Sequence, residues 1–182
     1  MASVNSAVAE VERPEVSNKM NSETLMKAFN LINLGYCGEY QVHEEIAGCL
    51  EELGIPFVYE PSIVCRNGNI LSPSLTEPSN KRGRNSTVIC DGEVCSVVFP
   101  DFYLPSEKIV LEIKCKTELT YGDKKQFVTF ASIPKETAIA IYCVQFNDRT
   151  GRLKGVHDIT NFTSFQAPIT NIYRWAKKSR AK

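Results

Sequence analysis

Residues 96–116 read Ser-Val-Val-Phe-Pro-Asp-Phe-Tyr-Leu-Pro-Ser-Glu-Lys-Ile-Val-Leu-Glu-Ile-Lys-Cys-Lys, and this stretch decides the fold. Val97 to Leu104 is apolar and β-branched or aromatic at most positions, and Ile109 to Lys116 alternates, so each side predicts a strand. Pro105, Ser106, Glu107 and Lys108 between them make a four-residue hairpin loop. In that register Leu104 faces Ile109 and Asp101 faces Glu112, and opposed side chains lie roughly 5 Å apart at Cβ on one sheet face. Two like charges so placed destabilise a hairpin by up to about 1 kcal/mol, a penalty that a cation between them reverses. Lys114, two residues beyond Glu112, points to the same face. The other face carries Ile109, Leu111 and Ile113, side chains suited to a core.

An Asp, a Glu and a Lys gathered this way can serve metal-assisted phosphodiester hydrolysis. Carboxylates are hard oxygen ligands suited to magnesium or manganese. A bound cation polarises the phosphate and acidifies a bound water. A nearby lysine neutralises developing charge or orients the attacking water. From this stretch alone two readings stay open: a nuclease site, or an ordinary strand pair with a solvated charged face.

The rest of the composition limits the alternatives. A chain of 182 residues, 43% hydrophobic and 23% charged, fits one globular domain with a substantial core. Its formal net charge is zero, so any nucleic-acid binding must use local patches rather than a global field. No apolar run approaches a membrane span, and the first residues carry neither a secretory apolar region nor an arginine-rich transit pattern. The seven cysteines are odd in number and scattered; Cys37, Cys49, Cys115 and Cys143 sit inside apolar patterns. This predicts a reducing intracellular compartment, cytoplasm or nucleus. Cys65, Cys90 and Cys95 lack a C-x-x-C pair, so no zinc site is expected.

Outward from the hairpin, the chain divides into a tail over 1–20, a domain over 21–165 with an insertion over 66–88, and a basic C-terminal segment over 166–182. Asn21 or Ser22 can cap a first helix with Leu25, Met26, Phe29 and Ile32 on one face, ending before Gly35. A second helix, about Glu39 to Leu53, carries the stripe Val42, Ile46, Leu50 and Leu53. At about 100° per residue Glu39 falls near the centre of that stripe and His43 at its edge. A carboxylate there is either paired or metal-bound, or it is a first-turn acid favoured by the helix dipole. His43 reads first as a boundary residue and second as a catalytic one.

Ile55 to Val64 reads as an edge-like or bulged strand interrupted by Pro61. The insertion contains Lys81, Arg82 and Arg84, either a phosphate-binding cluster or a solvated loop. Tyr121 to Ser132 predicts a helix with Gln126, Phe127 and Phe130 on one side, stopped by Pro134. Ala138 to Val144 is a buried central strand, and Phe146 to Gly155 a turn. A short C-terminal helix carrying Tyr173 and Trp175 is expected from the sequence. Arg174, Lys177, Lys178, Arg180 and Lys182 bring positive charge to that end, for a phosphate backbone, an acidic partner or solvent.

The order helix, helix, strand, hairpin, helix, strand resembles the PD-(D/E)XK nuclease superfamily, most closely its GxxExxY family. The likeness covers about Thr24 to Phe146. It is carried by Leu-Gly-Tyr-Cys-Gly-Glu-Tyr-Gln-Val-His-Glu-Glu (34–45), Gly54-Ile55-Pro56-Phe57, Pro100-Asp101, Val110-Leu111-Glu112-Ile113-Lys114 and Gln126. It implies an α/β, restriction-endonuclease-like core, a mixed sheet flanked by helices. By position it implies Asp101 and Glu112 as principal ligands of Mg2+ or Mn2+, Glu39 and the Ile113 carbonyl as further ligands, Lys114 as the catalytic lysine and Gln126 as a supporting catalytic residue. His43 stands near the place of the family's tyrosine, at a spacing one residue longer, which leaves Glu44 and Glu45 as rival acids; the stripe geometry selects Glu39. The implied activity is a metal-dependent nuclease acting on DNA ahead of RNA, with Lys81, Arg82, Arg84, Arg174, Lys177 and Lys178 on the backbone. The alternative is a catalytically silent module of that fold that binds nucleic acid or a protein partner in an assembly. A homodimer is compatible with either, and neither calls for a membrane.

Overall fold

The computed structural model describes residues 20–35, 38–71 and 87–163. Three helices and nine strands follow in the order α1 (Ser22–Phe29), α2 (Glu39–Glu52), β1 (Val58–Tyr59), β2 (Ser62–Val64), β3 (Ile70–Leu71), β4 (Thr87–Cys90), β5 (Glu93–Val98), β6 (Phe102–Leu104), β7 (Ile109–Cys115), α3 (Tyr121–Phe130), β8 (Ala140–Phe146) and β9 (Leu153–Asp158). The class is α/β with a mixed sheet. No helix among the described residues is long and apolar enough to cross a membrane.

The larger sheet runs β1-β6-β7-β8-β9. β6 and β7 form the hairpin around Pro105–Lys108, with Leu104 opposite Ile109 and Phe102 opposite Leu111, the register read from the sequence. β7 and β8 are parallel from Ile109↔Ala140 to Cys115↔Phe146. A parallel pair needs a crossover, which α3 supplies.

Alternation along the strands splits the core between the two sheet faces. Phe102, Leu104, Ile109, Leu111, Ile113 and Val144 pack with Leu25 and Phe29 of α1 and Val42, Ile46 and Leu50 of α2. Tyr103, Val110, Ile141 and Cys143 pack on the other face with Phe127 and Phe130 of α3. Asn21 caps α1, its side chain accepting from the Thr24 N–H at 2.9 Å. Thr120 and Asp123 form a reciprocal capping box at the start of α3.

A smaller sheet, β3-β2-β5-β4, lies beside the first. Its β4–β5 hairpin turns on Asp91 and Gly92, both at positive φ (52° and 80°), the Asp-Gly pairing that suits a tight two-residue turn.

Several elements depart from the sequence reading. Val97 to Leu104 is not one strand. Phe99 and Pro100 break it into β5 and β6, which belong to different sheets, because proline brings no N–H to a ladder. Pro61 likewise divides Ile55 to Val64 into β1 and β2 in separate sheets, with Glu60 at φ 46° on the corner. Helix α1 stops at Phe29, and Met26 and Leu53 are exposed rather than in the stripes assigned to them. The segment over 66–88 is not wholly loop, since it holds β3 and opens β4. β9 fills part of the predicted turn over 146–155. The tail over 1–19, the basic cluster Lys81, Arg82 and Arg84, and the C-terminal segment with Arg174, Lys177 and Lys178 lie outside the described residues.

Candidate active site

The site is built where β6 begins and β7 passes it. Asp101 immediately precedes β6, and its backbone carbonyl accepts the Glu60 N–H at 2.8 Å. Its carboxylate Oδ2 accepts the Ile113 N–H at 2.6 Å. β6 has ended by this point, so the aspartate side chain takes the place of a ladder carbonyl.

Glu112 and Lys114 lie on β7, on the face of Val110, and their neighbours on β8 are Cys143 and Gln145. The Lys114 ammonium donates to Glu112 Oε1. Glu112 is 2% exposed, and its other oxygen, Oε2, is buried with no hydrogen-bond partner among the described residues.

Burial sets the electrostatics. It raises the Glu112 carboxyl to about 8, with the neighbouring charge of Asp101 adding to the shift and Lys114 opposing it. Burial also raises Asp101, against the Ile113 hydrogen bond and the charges of His43 and Lys114. For Lys114 burial acts downward, but Glu112 and Asp101 outweigh it and leave the ammonium above its usual value. Two neighbouring carboxyls whose ionisation burial opposes mark a candidate functional site.

Glu39 is exposed at the first position of α2, not buried in the stripe, because the first turn projects past the core that Val42 enters. Its charge nonetheless acts on Asp101, Glu112 and Lys114, raising all three. Helix α2 therefore brings an acid toward the hairpin acids, while Glu44 and Glu45 are exposed and are not among the principal causes of these shifts.

Gln126 is half-buried on α3 and makes no hydrogen bond to the hairpin acids or Lys114 among the described residues. Gln145 occupies the buried position beside Lys114 instead. Its amide donates to the Lys116 carbonyl at 2.8 Å, and its Oε1 lies 3.1 Å from His157 Nε2. Lys116 in turn donates to Asp123 at 2.6 Å, tying the end of β7 to α3.

His43 is the residue the sequence undervalued. It is 8% exposed, with Nδ1 3.0 Å from the Tyr59 hydroxyl and Nε2 3.7 Å from Asp101 Oδ1. Its place four residues after Glu39, and its nearness to the place of the tyrosine in the motif the chain resembles, were the available signals.

Asp101, Glu112 and the unpartnered Glu112 oxygen suit a hard divalent cation. Among the described residues no three His, Cys, Asp or Glu side chains converge into a ready-made cage. Magnesium does not require one, since it is commonly held by one or two carboxylates with waters and substrate phosphate. The chain matches no protein family, no curated protein and no solved structure in comparisons with each.

Proposed function

We propose that this chain is a metal-dependent nuclease of the PD-(D/E)XK type, with a restriction-endonuclease-like core, hydrolysing phosphodiester bonds of DNA ahead of RNA. The observation that carries the reading is the cluster of half-buried Asp101 with buried Glu112 and Lys114 on one hairpin, with Glu112 Oε2 left without a partner among the described residues. A buried carboxylate oxygen costs about 1–3 kcal/mol or more when unsatisfied, a cost a folded protein bears where the atom has a task.

Asp101 and Glu112 would hold Mg2+ or Mn2+, with Glu39 and the Ile113 carbonyl as further oxygen donors. When bound, the ion supplies Lewis acidity at the phosphate and at an attacking water. The Ile113 N–H keeps one Asp101 oxygen in place and leaves the other for binding. Lys114, paired with Glu112, stays charged, and its ammonium can neutralise charge on the scissile phosphate or orient the water. Gln126 would join through substrate rather than through the acids. Lys81, Arg82, Arg84, Arg174, Lys177 and Lys178 would contact the backbone.

One observation favours a second reading, a silent module that binds nucleic acid or a protein partner: Lys114 is committed to Glu112. A cleavage assay separates the two. Wild type, Asp101→Ala and Lys114→Ala, each checked for folding, are incubated with single-stranded, duplex and branched DNA and with RNA, in Mg2+ and then Mn2+. The nuclease reading expects cleavage by wild type that both substitutions abolish. Wild type inert on every substrate in both metals, or variants that cleave equally well, would favour the silent module.

A further inference from the structure

We propose that His43, pinned by Tyr59, is the positioning residue that holds the Asp101 carboxylate in its binding orientation. This rests on the nuclease reading for its purpose, though not for its geometry.

The Asp101 carboxylate is hydrogen-bonded on one side and faces an unpartnered ring nitrogen on the other. Oδ2 accepts from Ile113 N–H at 2.6 Å, and Oδ1 faces His43 Nε2 at 3.7 Å. That Nε2 atom is buried and has no hydrogen-bond partner among the described residues. The other ring nitrogen is engaged, 3.0 Å from the Tyr59 hydroxyl. The ring stands edge-on to Tyr59 and to Phe102, with both centroid distances 5.8 Å. These two ring contacts orient the imidazole toward Asp101.

Three elements thus converge on one side chain. α2 supplies His43, β1 supplies Tyr59, and β7 supplies the Ile113 amide. Closing the 3.7 Å gap by about 0.5 Å or more turns an orphaned nitrogen into a hydrogen-bond partner of Oδ1. Each carboxylate oxygen offers two lone-pair directions, so Oδ1 can meet His43 with one and a cation with the other. Without His43, the carboxylate is free to rotate about the Ile113 contact. Outer partners of this kind orient metal ligands, and their loss typically weakens metal binding roughly 10- to 100-fold.

The test reads Asp101 orientation through the Ile113 amide proton, which needs no metal. Two-dimensional amide NMR spectra are recorded on the full chain as wild type, His43→Leu, His43→Gln and Tyr59→Phe. In His43→Leu the Ile113 amide should move upfield while Leu111 and Val144, on the same core face, keep their positions. His43→Gln, which retains a side-chain nitrogen donor, should restore the Ile113 resonance, and Tyr59→Phe should fall between. Calorimetry with Mn2+ on the same samples should show binding weakened roughly tenfold or more in His43→Leu and recovered in His43→Gln. An Ile113 resonance unmoved in His43→Leu, or moved together with Leu111 and Val144 as general loosening of the core, would overturn the proposal. So would a His43→Gln spectrum like that of His43→Leu. Should wild type cleave no nucleic acid while these shifts appear, the positioning role stands and the nuclease reading falls.

Discussion

Lys114 donates to Glu112 from two residues along the same strand, and both side chains are buried. Glu112 and Lys114 share a face on which Cys143 and Gln145 are the neighbours on β8. Removing one partner of a buried pair leaves the other uncompensated, whereas replacing both with apolar or neutral groups is often nearly neutral. Lys114→Met alone should therefore cost about 1–3 kcal/mol of stability, and Glu112→Gln combined with Lys114→Met should recover most of it. Urea denaturation of the two single variants and the double variant measures the coupling.

The Glu112 carboxyl, raised to about 8 from 4.5, makes stability depend on pH in a definite sense. Between those values the folded state holds a proton that the unfolded chain has lost. Stability is greatest below pH 4.5 as far as this group is concerned, and it falls as pH rises toward 8, by up to about 1.4 kcal/mol per pH unit. The raised Asp101 carboxyl acts in the same direction. Denaturation midpoints of the metal-free protein from pH 5 to 8 should decline, and Glu112→Gln should flatten the decline. Mn2+, which competes with that proton, should raise the midpoint more at pH 8 than at pH 6.

Gly68 joins the small sheet to the start of β8. It sits at φ 69°, and a Cβ there would lie 1.7 Å from Thr137 Oγ1 and 2.8 Å from Thr137 Cβ. The Thr137 hydroxyl also donates to the Gly68 carbonyl at 3.2 Å. Gly68→Ala should cost about 2–4 kcal/mol, from left-handed backbone strain plus the clash. Adding Thr137→Ala should return only part of it, since Thr137 Cβ remains too close. Thermal unfolding of the single and double variants checks this.

The hairpin was legible because its signals are local. Alternation in Ile109 to Lys116 and a four-residue loop of Pro, Ser, Glu and Lys set the Leu104–Ile109 register with no need of the rest of the chain. The helix cores Val42, Ile46, Leu50 and Phe127, Phe130 were legible for the same reason. What escaped reading depends on distant partners. His43 lies at the edge of its own helix stripe and is buried by Tyr59 and Phe102, which reach it from two other strands. Glu39 lies on the stripe by angle, but the helix begins too early for the core to cover it. β9 is a short, half-exposed strand whose alternation is broken by Gly155, so its pairing with β8 left little trace in the pattern. The Asp91-Gly92 turn did carry a local signal, in the short stretch between the 66–88 insertion and the hairpin that the sequence reading left unassigned.

The capping box at α3 offers a separate check on how firmly the end of β7 is held. Asp123 accepts from the Thr120 N–H at 2.7 Å, the Thr120 hydroxyl at 2.6 Å and Lys116 at 2.6 Å. Burial opposes the Asp123 charge, but these three donors outweigh it and hold the carboxyl below its usual value. Asp123→Ala should cost about 1–2 kcal/mol, measured by urea denaturation at pH 7. The loss should shrink in acid, as the native carboxylate itself takes up a proton.

The most direct measurement is manganese-dependent cleavage of labelled DNA by wild type beside Lys114→Ala, with Mn2+ binding to both followed by calorimetry. The account predicts that wild type cleaves, and that Lys114→Ala still binds the ion at Asp101 and Glu112 yet loses cleavage by at least about a hundredfold. Wild type that binds Mn2+ and leaves every DNA intact, or Lys114→Ala that cleaves as fast as wild type, would contradict it.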